Sequence, residues 1–188
     1  MIHYFIPYDI AGNLFNAYDY YASLVSNPED WICFIDGDAA FLVSDWGHII
    51  QRYVDKFQTM GMLTCYASRS GYPSSVPSIG NQENKDILFH KRIAEKLKSA
   101  YAKNCIIKPY NRRVSGHLMC IKKSIWTEIR EDVRKRVEQN NKTILGVDTQ
   151  ISYSILATGK KIGLMKGLYL FHYFRFAEGR GNKKHLGE

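Results

Sequence analysis

Two carboxylates one residue apart, Asp36 and Asp38, follow directly on the apolar run Trp31–Ile35 with only Gly37 between them. Such a pair, with no side chain separating its members, suits a hard divalent cation that also holds a diphosphate. A histidine, His172, sits far downstream in the apolar stretch Leu168-Tyr-Leu-Phe-His-Tyr-Phe-Arg175. Alone it reads more readily as a hydrogen-bonded core residue. Imidazole beside carboxylates suits Mn²⁺ at least as well as Mg²⁺, which prefers oxygen alone. Arg175, just beyond, can reach the phosphates of the same ligand or serve as an edge-strand cation. Asp148 follows Gly146-Val147 at a helix start. It is either an N-cap or a carboxylate placed to take a proton from a hydroxyl. Ser115-Gly116-His117 opens a strand where glycine either lets a ligand approach the backbone or marks a β-bulge.

These residues need a scaffold, and the apolar pattern supplies one. Trp31–Ile35 is too short for a helix and rich in aromatic and β-branched types, so it reads as a strand buried on both faces. In open α/β sheets ligands sit beyond the carboxyl ends of such strands, where Asp36 and Asp38 fall. A first strand, Met1–Pro7, and a helix carrying Leu14, Tyr18, Tyr21 and Val25 precede it, forming a short βαβ unit. Ser44 is placed to cap a helix with Trp46, Ile49, Tyr53 and Phe57 on its buried face, and Gly61–Tyr66 reads as a strand. The long polar connection Ala67–Asn84, which contains Arg69, is a candidate lid whose cation can meet phosphate. A basic amphipathic helix over Asp86–Lys103 is followed by strands at Cys105–Ile107 and Ser115–Ile121. Ile125, Ile129, Val133 and Val137 then form the stripe of a helix whose other face carries Arg130, Arg134, Lys135 and Arg136. A helix ending at Gly159 precedes two strands, Lys161–Met165 and Leu168–Tyr173. The expectation is one α/β domain over residues 1–177, a mixed sheet flanked by helices, with a polar tail over 178–188.

Composition agrees with a folded domain: 188 residues, 45% apolar and 23% charged. No stretch has the length of a membrane span, and the first residues lack the basic and cleavage regions of a signal peptide. Cys33, Cys65, Cys105 and Cys120 are scattered, as expected for buried thiols in a reducing, cytoplasmic setting. The net charge of +8 is uneven, since residues 1–50 hold seven acids and no lysine or arginine. That asymmetry fits acids on a metal with bases near phosphates, or a basic nucleic-acid-binding protein. Against nucleic acid, the chain has no helix-turn-helix, zinc-finger or RRM signature. A metal-dependent phosphohydrolase on the same carboxylates is a further alternative.

In this order the motifs resemble those of a small GT-A-fold glycosyltransferase of the glycosyltransferase family 2 type found in bacterial and phage genomes. The resemblance rests on Trp31-Ile-Cys-Phe-Ile-Asp-Gly-Asp38, Ser115-Gly-His-Leu-Met-Cys-Ile-Lys-Lys123, Leu145-Gly-Val-Asp-Thr-Gln150 and the segment Gly159–Arg175. The last of these is also similar to the closing segment of polypeptide N-acetylgalactosaminyltransferases. It implies a compact GT-A-like (Rossmann-like) mixed sheet whose nucleotide-binding half is shortened by one βαβ pass. It further implies Asp38 and His172 as ligands of Mn²⁺ or Mg²⁺, with Asp36 on the metal or the donor ribose. Asp148 would be the base of an inverting transfer, whereas a retaining one, as in the second family, needs no such base; Pro7, Tyr8 and Asp9 would hold the base of a UDP- or GDP-sugar. Ser115, Gly116 and His117 would form the floor under donor sugar and acceptor, a glycan or other hydroxyl compound.

Overall fold

Trp31–Ile35 is a strand with all five residues buried, as its aromatic and β-branched content requires. A computed structural model describes residues 1–70, 75–80, 84–142 and 145–173 of the chain. In chain order the elements are β1 (Ile2–Phe5), α1 (Leu14–Ser23), β2 (Trp31–Ile35), β3 (Ala39–Phe41), α2 (Trp46–Lys56) and β4 (Met62–Ala67). They continue with α3 (Ile87–Leu97), β5 (Ile107–Tyr110), β6 (Leu118–Lys122), α4 (Lys123–Gln139), α5 (Val147–Ala157) and β7 (Ile162–His172). The strands form one seven-stranded mixed sheet in the order β1-β2-β6-β4-β7-β3, with β5 also paired to β7. The fold is therefore mixed α/β, and no helix among the described residues is long and apolar enough to cross a membrane.

Local chemistry explains most boundaries. Asn13 caps α1 by accepting from the Asn16 amide, and Asp86 caps α3 by accepting from Leu88. Ser44, expected to cap α2, does not: Asp45 holds that position without a side-chain cap bond. An aromatic cluster seats α1 and α4 on β2, with Tyr18 and Phe34 ring centroids 4.7 Å apart and Phe34 and Trp126 5.7 Å apart. All four cysteines are free and buried.

The closing segment differs from expectation. Instead of two strands, residues 162–172 form one strand, β7, interrupted by a bulge. Parallel pairing with β4 runs from Met62↔Ile162 to Cys65↔Met165 and resumes at Tyr66↔Tyr169, so three residues of β7 bow out. Along its other edge β7 pairs with β5 before the bulge and with β3 after it. Gly167 lies in the bow, and a Cβ there would stand 2.5 Å from the Cα of Ala102. Ala102 ends a π-helical turn, Lys98–Ala102, which replaces the last turn of the expected Asp86–Lys103 helix. Tyr53 locks the junction, its hydroxyl accepting from the Gly167 amide (3.0 Å) and donating to the Ile106 carbonyl (3.0 Å). The expected tail, 178–188, lies outside the described residues, as do 71–74 and 81–83 of the Ala67–Asn84 connection.

Because backbone faces the missing Cβ, Gly167→Ala is expected to destabilise the fold by about 1–3 kcal/mol. Urea unfolding of the variant against the parent measures this.

Candidate metal centre

The sheet register is what brings the acids and the histidine together. After β2 the chain turns over Asp36–Ala39, closed by the Ala39 amide donating to the Asp36 carbonyl at 3.1 Å. The outgoing strand β3 pairs antiparallel with the end of β7, Ala39 opposite His172. The Tyr173 amide then donates to the Asp38 carbonyl at 2.9 Å. His172 Nε2 lies 3.1 Å from Asp38 Oδ1 and 3.5 Å from Asp36 Oδ2. One donor atom from each of the three residues falls within 4.8 Å of the others.

The ring orientation suits a ligand. His172 Nδ1 donates to the Arg69 carbonyl at 2.7 Å, which leaves Nε2 to face the carboxylates. The main chain of His172 is held by Ser68, whose hydroxyl accepts from the His172 amide at 2.9 Å and lies 3.2 Å from its carbonyl. The imidazole is buried, whereas the Asp36 and Asp38 side chains are 35% and 44% exposed, so the cluster opens to solvent on the carboxylate side. Two carboxylates and one imidazole, mutually close and pre-oriented, match the donor preferences of Mn²⁺ and tolerate Mg²⁺.

The electrostatics point the same way. Burial pushes the Asp36 carboxyl up to about 6; His172 opposes this, while Asp38 and Asp148 add to it. Burial alone would lower His172, but its bond to Asp38 and the charges of Asp38 and Asp36 raise it overall. His117 is buried beside it, ring centroids 5.8 Å apart, and is pushed down to about 3 by burial and by His172. It is therefore neutral, its Nε2 donating to the Cys65 carbonyl at 2.9 Å.

Asp148 is in the same electrostatic neighbourhood, since its charge reaches Asp36. Its Oδ2 accepts from the Gly116 amide at 2.9 Å and its Oδ1 from the Thr149 amide at 2.8 Å. Of the two roles open to it in the sequence, it does not cap α5: Gly146, at φ +89°, occupies the N-cap and Asp148 lies inside the first turn. Burial raises its carboxyl despite these two bonds. A Cβ on Gly116 would stand 3.0 Å from the Asp148 Cβ, so glycine there permits the close approach.

Other expected residues fall as follows. Ser115, Gly116 and His117 precede β6 instead of opening it, because the strand begins at Leu118. The His117 carbonyl carries the β2–β6 pairing one bond further by accepting from the Asp36 amide, and the Gly116 amide is diverted to Asp148. Asp9 accepts from the Ala11 and Asn13 amides and so braces the start of α1. Tyr8 is 74% exposed, while its neighbour Ile6 sits where a Cβ on Gly37 would meet it at 3.5 Å. Arg69 is buried, and its carbonyl is the group seen to act on His172. Arg175 lies outside the described residues. On α4, Arg130 pairs with Asp19, Arg134 with Glu131 and Arg136 with Asp132, so most of its cationic stripe is internally neutralised.

Two contributors were not visible as site residues in the sequence. Tyr18 reads there as one apolar position of a helix, yet burial and the charges of Asp36 and Asp148 push its phenol up. Ser68 carried no local signal, since its part depends on the β4–β7 pairing. Comparison with protein-family models and with curated protein sequences yields no match to this chain.

The pH dependence has a defined sign. Without metal, the folded protein holds protons on Asp36 and His172 more tightly than the unfolded chain does, so stability falls as pH rises. For Asp36 the window runs from 3.8 to about 6; for His172 it starts at 6.5 and extends upward. Metal binding needs those protons gone and strengthens over the same range. Saturating Mn²⁺ should therefore raise the melting temperature more at about pH 8 than at about pH 5. Asp36→Asn should raise the metal-free melting temperature at the higher pH and abolish the Mn²⁺ increment. Thermal melts at both pH values, with and without Mn²⁺, check both outcomes.

Proposed function

We propose that the protein is a metal-dependent glycosyltransferase that moves a sugar from a nucleoside diphosphate donor to a hydroxyl acceptor. The observation that carries this reading is the convergence of Asp36, Asp38 and His172 into one open cluster with the half-buried carboxylate of Asp148 in electrostatic reach. The resemblance of the ordered motifs to those of glycosyltransferase family 2 supports it, and free buried thiols fit a cytoplasmic setting.

Asp36, Asp38 and His172 would hold Mn²⁺ or Mg²⁺, which supplies a Lewis acid for the departing diphosphate. Asp148 would take the proton of the acceptor hydroxyl as the acceptor oxygen bonds to the anomeric carbon and the bond from that carbon to the diphosphate oxygen breaks. Two backbone amides and the Thr149 side chain donate to the Asp148 carboxylate, which fixes it in place and leaves one of its four lone pairs for that proton. The raised Asp148 carboxyl makes a stronger base, at the expense of being protonated as pH falls. His117, neutral and buried, and Gly116 form the floor beside it. On this reading the donor is a UDP- or GDP-sugar and the exposed loop around Tyr8 is where its base would rest.

Calorimetric titration with UDP and GDP, with and without Mn²⁺, tests the reading. One of the two should bind only with Mn²⁺, and Asp38→Ala and His172→Ala should each remove that binding. Absence of binding by either, with metal present, would sink it. Release of nucleotide from the bound donor without sugar transfer would instead favour a phosphohydrolase. Asp148→Asn should lower turnover by about 10²–10⁴-fold while leaving nucleotide binding intact. Gly116→Ala, which presses on the Asp148 Cβ, should lower turnover by about 10–100-fold with nucleotide affinity again preserved.

A further inference from the structure

Behind His172, on the side away from the carboxylates, lies a run of buried polar groups for which glycosyl transfer has no direct use. Ser68 and His90 are fully buried and Tyr169 nearly so. His90 Nε2 lies 2.6 Å from the Asn84 carbonyl and His90 Nδ1 lies 2.6 Å from the Tyr169 hydroxyl. Tyr169 is in turn hydrogen-bonded by Ser68, and the Ser68 hydroxyl accepts from the His172 amide.

The polarity of this chain follows from its ends. A backbone amide can only donate and a backbone carbonyl can only accept. The His172 amide donates to Ser68, whose one hydroxyl proton is shared between the His172 carbonyl at 3.2 Å and Tyr169. At the far end the Asn84 carbonyl requires the His90 proton on Nε2, so in the neutral ring Nδ1 accepts from Tyr169. The Tyr169–His90–Asn84 links then run in one direction, with the shared Ser68 proton at their near end. Ordered buried chains of this kind strengthen along their length, and loss of one link leaves its neighbours unsatisfied.

Both ends matter for the site. At one end the dipeptide Ser68-Arg69 grips His172 twice, the serine on the main chain and the Arg69 carbonyl on the ring nitrogen. At the other, Asn84 and Asp86 build the start of α3: the Asp86 amide donates to Asn84 Oδ1 and the Leu88 amide to Asp86 Oδ1. The His90 ring also packs on Phe171, centroids 5.0 Å apart, beside the metal ligand in sequence.

We propose that His90, acting through Tyr169 and Ser68, is a positioning residue for the metal ligand His172, so that metal binding and the docking of the Asn84–His90 segment on β7 reinforce each other. The inference rests on the metal-centre reading and extends it, since coupling between two sites is reciprocal. Hydrogen-bonded groups behind a ligating histidine set its orientation, and their loss weakens metal binding by about 10–100-fold.

The test uses the full chain and Mn²⁺ alone. Tyr169→Phe removes the middle link while keeping the ring, and His90→Phe keeps an aromatic ring against Phe171. Each should weaken Mn²⁺ binding by about tenfold or more in calorimetry. In the unaltered protein Mn²⁺ should slow amide hydrogen exchange over residues 86–90, and in Tyr169→Phe it should not. A lower melting temperature with unchanged Mn²⁺ affinity in both variants would show a purely structural chain and overturn the inference alone. Failure of the unaltered protein to bind Mn²⁺ would overturn the metal-centre reading and this inference with it.

Discussion

The structure depends on how β7 divides its pairing. One strand runs beside β4 along its whole length, yet must serve β5 with its first half and β3 with its second. The three-residue bow at Gly167 makes this possible by shifting register once, and it is filled from outside by the π-helical turn at Ala102 and by the Tyr53 hydroxyl. A shift of one residue in that register would turn His172 to the opposite face of the sheet. The packing around residues 53, 102 and 167 thus decides, from a distance, whether imidazole meets Asp38.

That placement is electrostatically unfavourable in the absence of a cation. Three carboxylates share one region, burial lifts Asp36 to about 6, and the neighbouring His117 is too buried to be charged. Among the described residues His172 offsets Asp36 and Arg113 offsets Asp148, and the raised proton affinity of His172 is the mark of that work. Groups arranged this way weaken the fold locally, and sites that retain such an arrangement usually do so for binding or chemistry. A bound divalent ion would reverse the balance by turning mutual repulsion into shared attraction. The outward opening of Asp36 and Asp38, against the enclosed His172, leaves the coordination sphere accessible to a phosphate oxygen.

Local patterns made much of this legible in the sequence. The buried strand Trp31–Ile35, the acid turn after it and the helical stripes of α1 and α4 are encoded within a few residues of themselves. His172 stands out in the sequence because the acids make an imidazole chemically relevant, and its place beside them agrees with that logic. What escaped depended on long-range pairing. The continuity of β7 across Gly167 is set by strands more than fifty residues earlier, β4 and β5. The expected strand at Cys105 starts instead at Ile107, because Cys105 adopts φ +49° to leave the π-helical turn. Ser68 resembles any loop serine until the sheet places it against His172, and Tyr18 resembles any buried tyrosine although the charges of Asp36 and Asp148 reach its phenol.

On the glycosyl-transfer reading, the single β1-α1-β2 pass ahead of the acid turn bears on nucleotide recognition. Strand β1 pairs only with β2 among the described residues, and the loop that follows it runs past the acid turn with Ile6 against Gly37. Asp9, the one acid in that loop, has both carboxylate oxygens bound to backbone amides at the start of α1. Freeing it for a ribose or a base would uncap the loop, so it acts as a brace. What the loop does present is apolar and exposed: Ile6, Tyr8 and Ile10, the last at 91%. An aromatic ring stacks on any base with little preference among them. Discrimination between uridine and guanosine in this chain would then rest on backbone groups of residues 6–12, with Tyr8 adding affinity instead of selectivity.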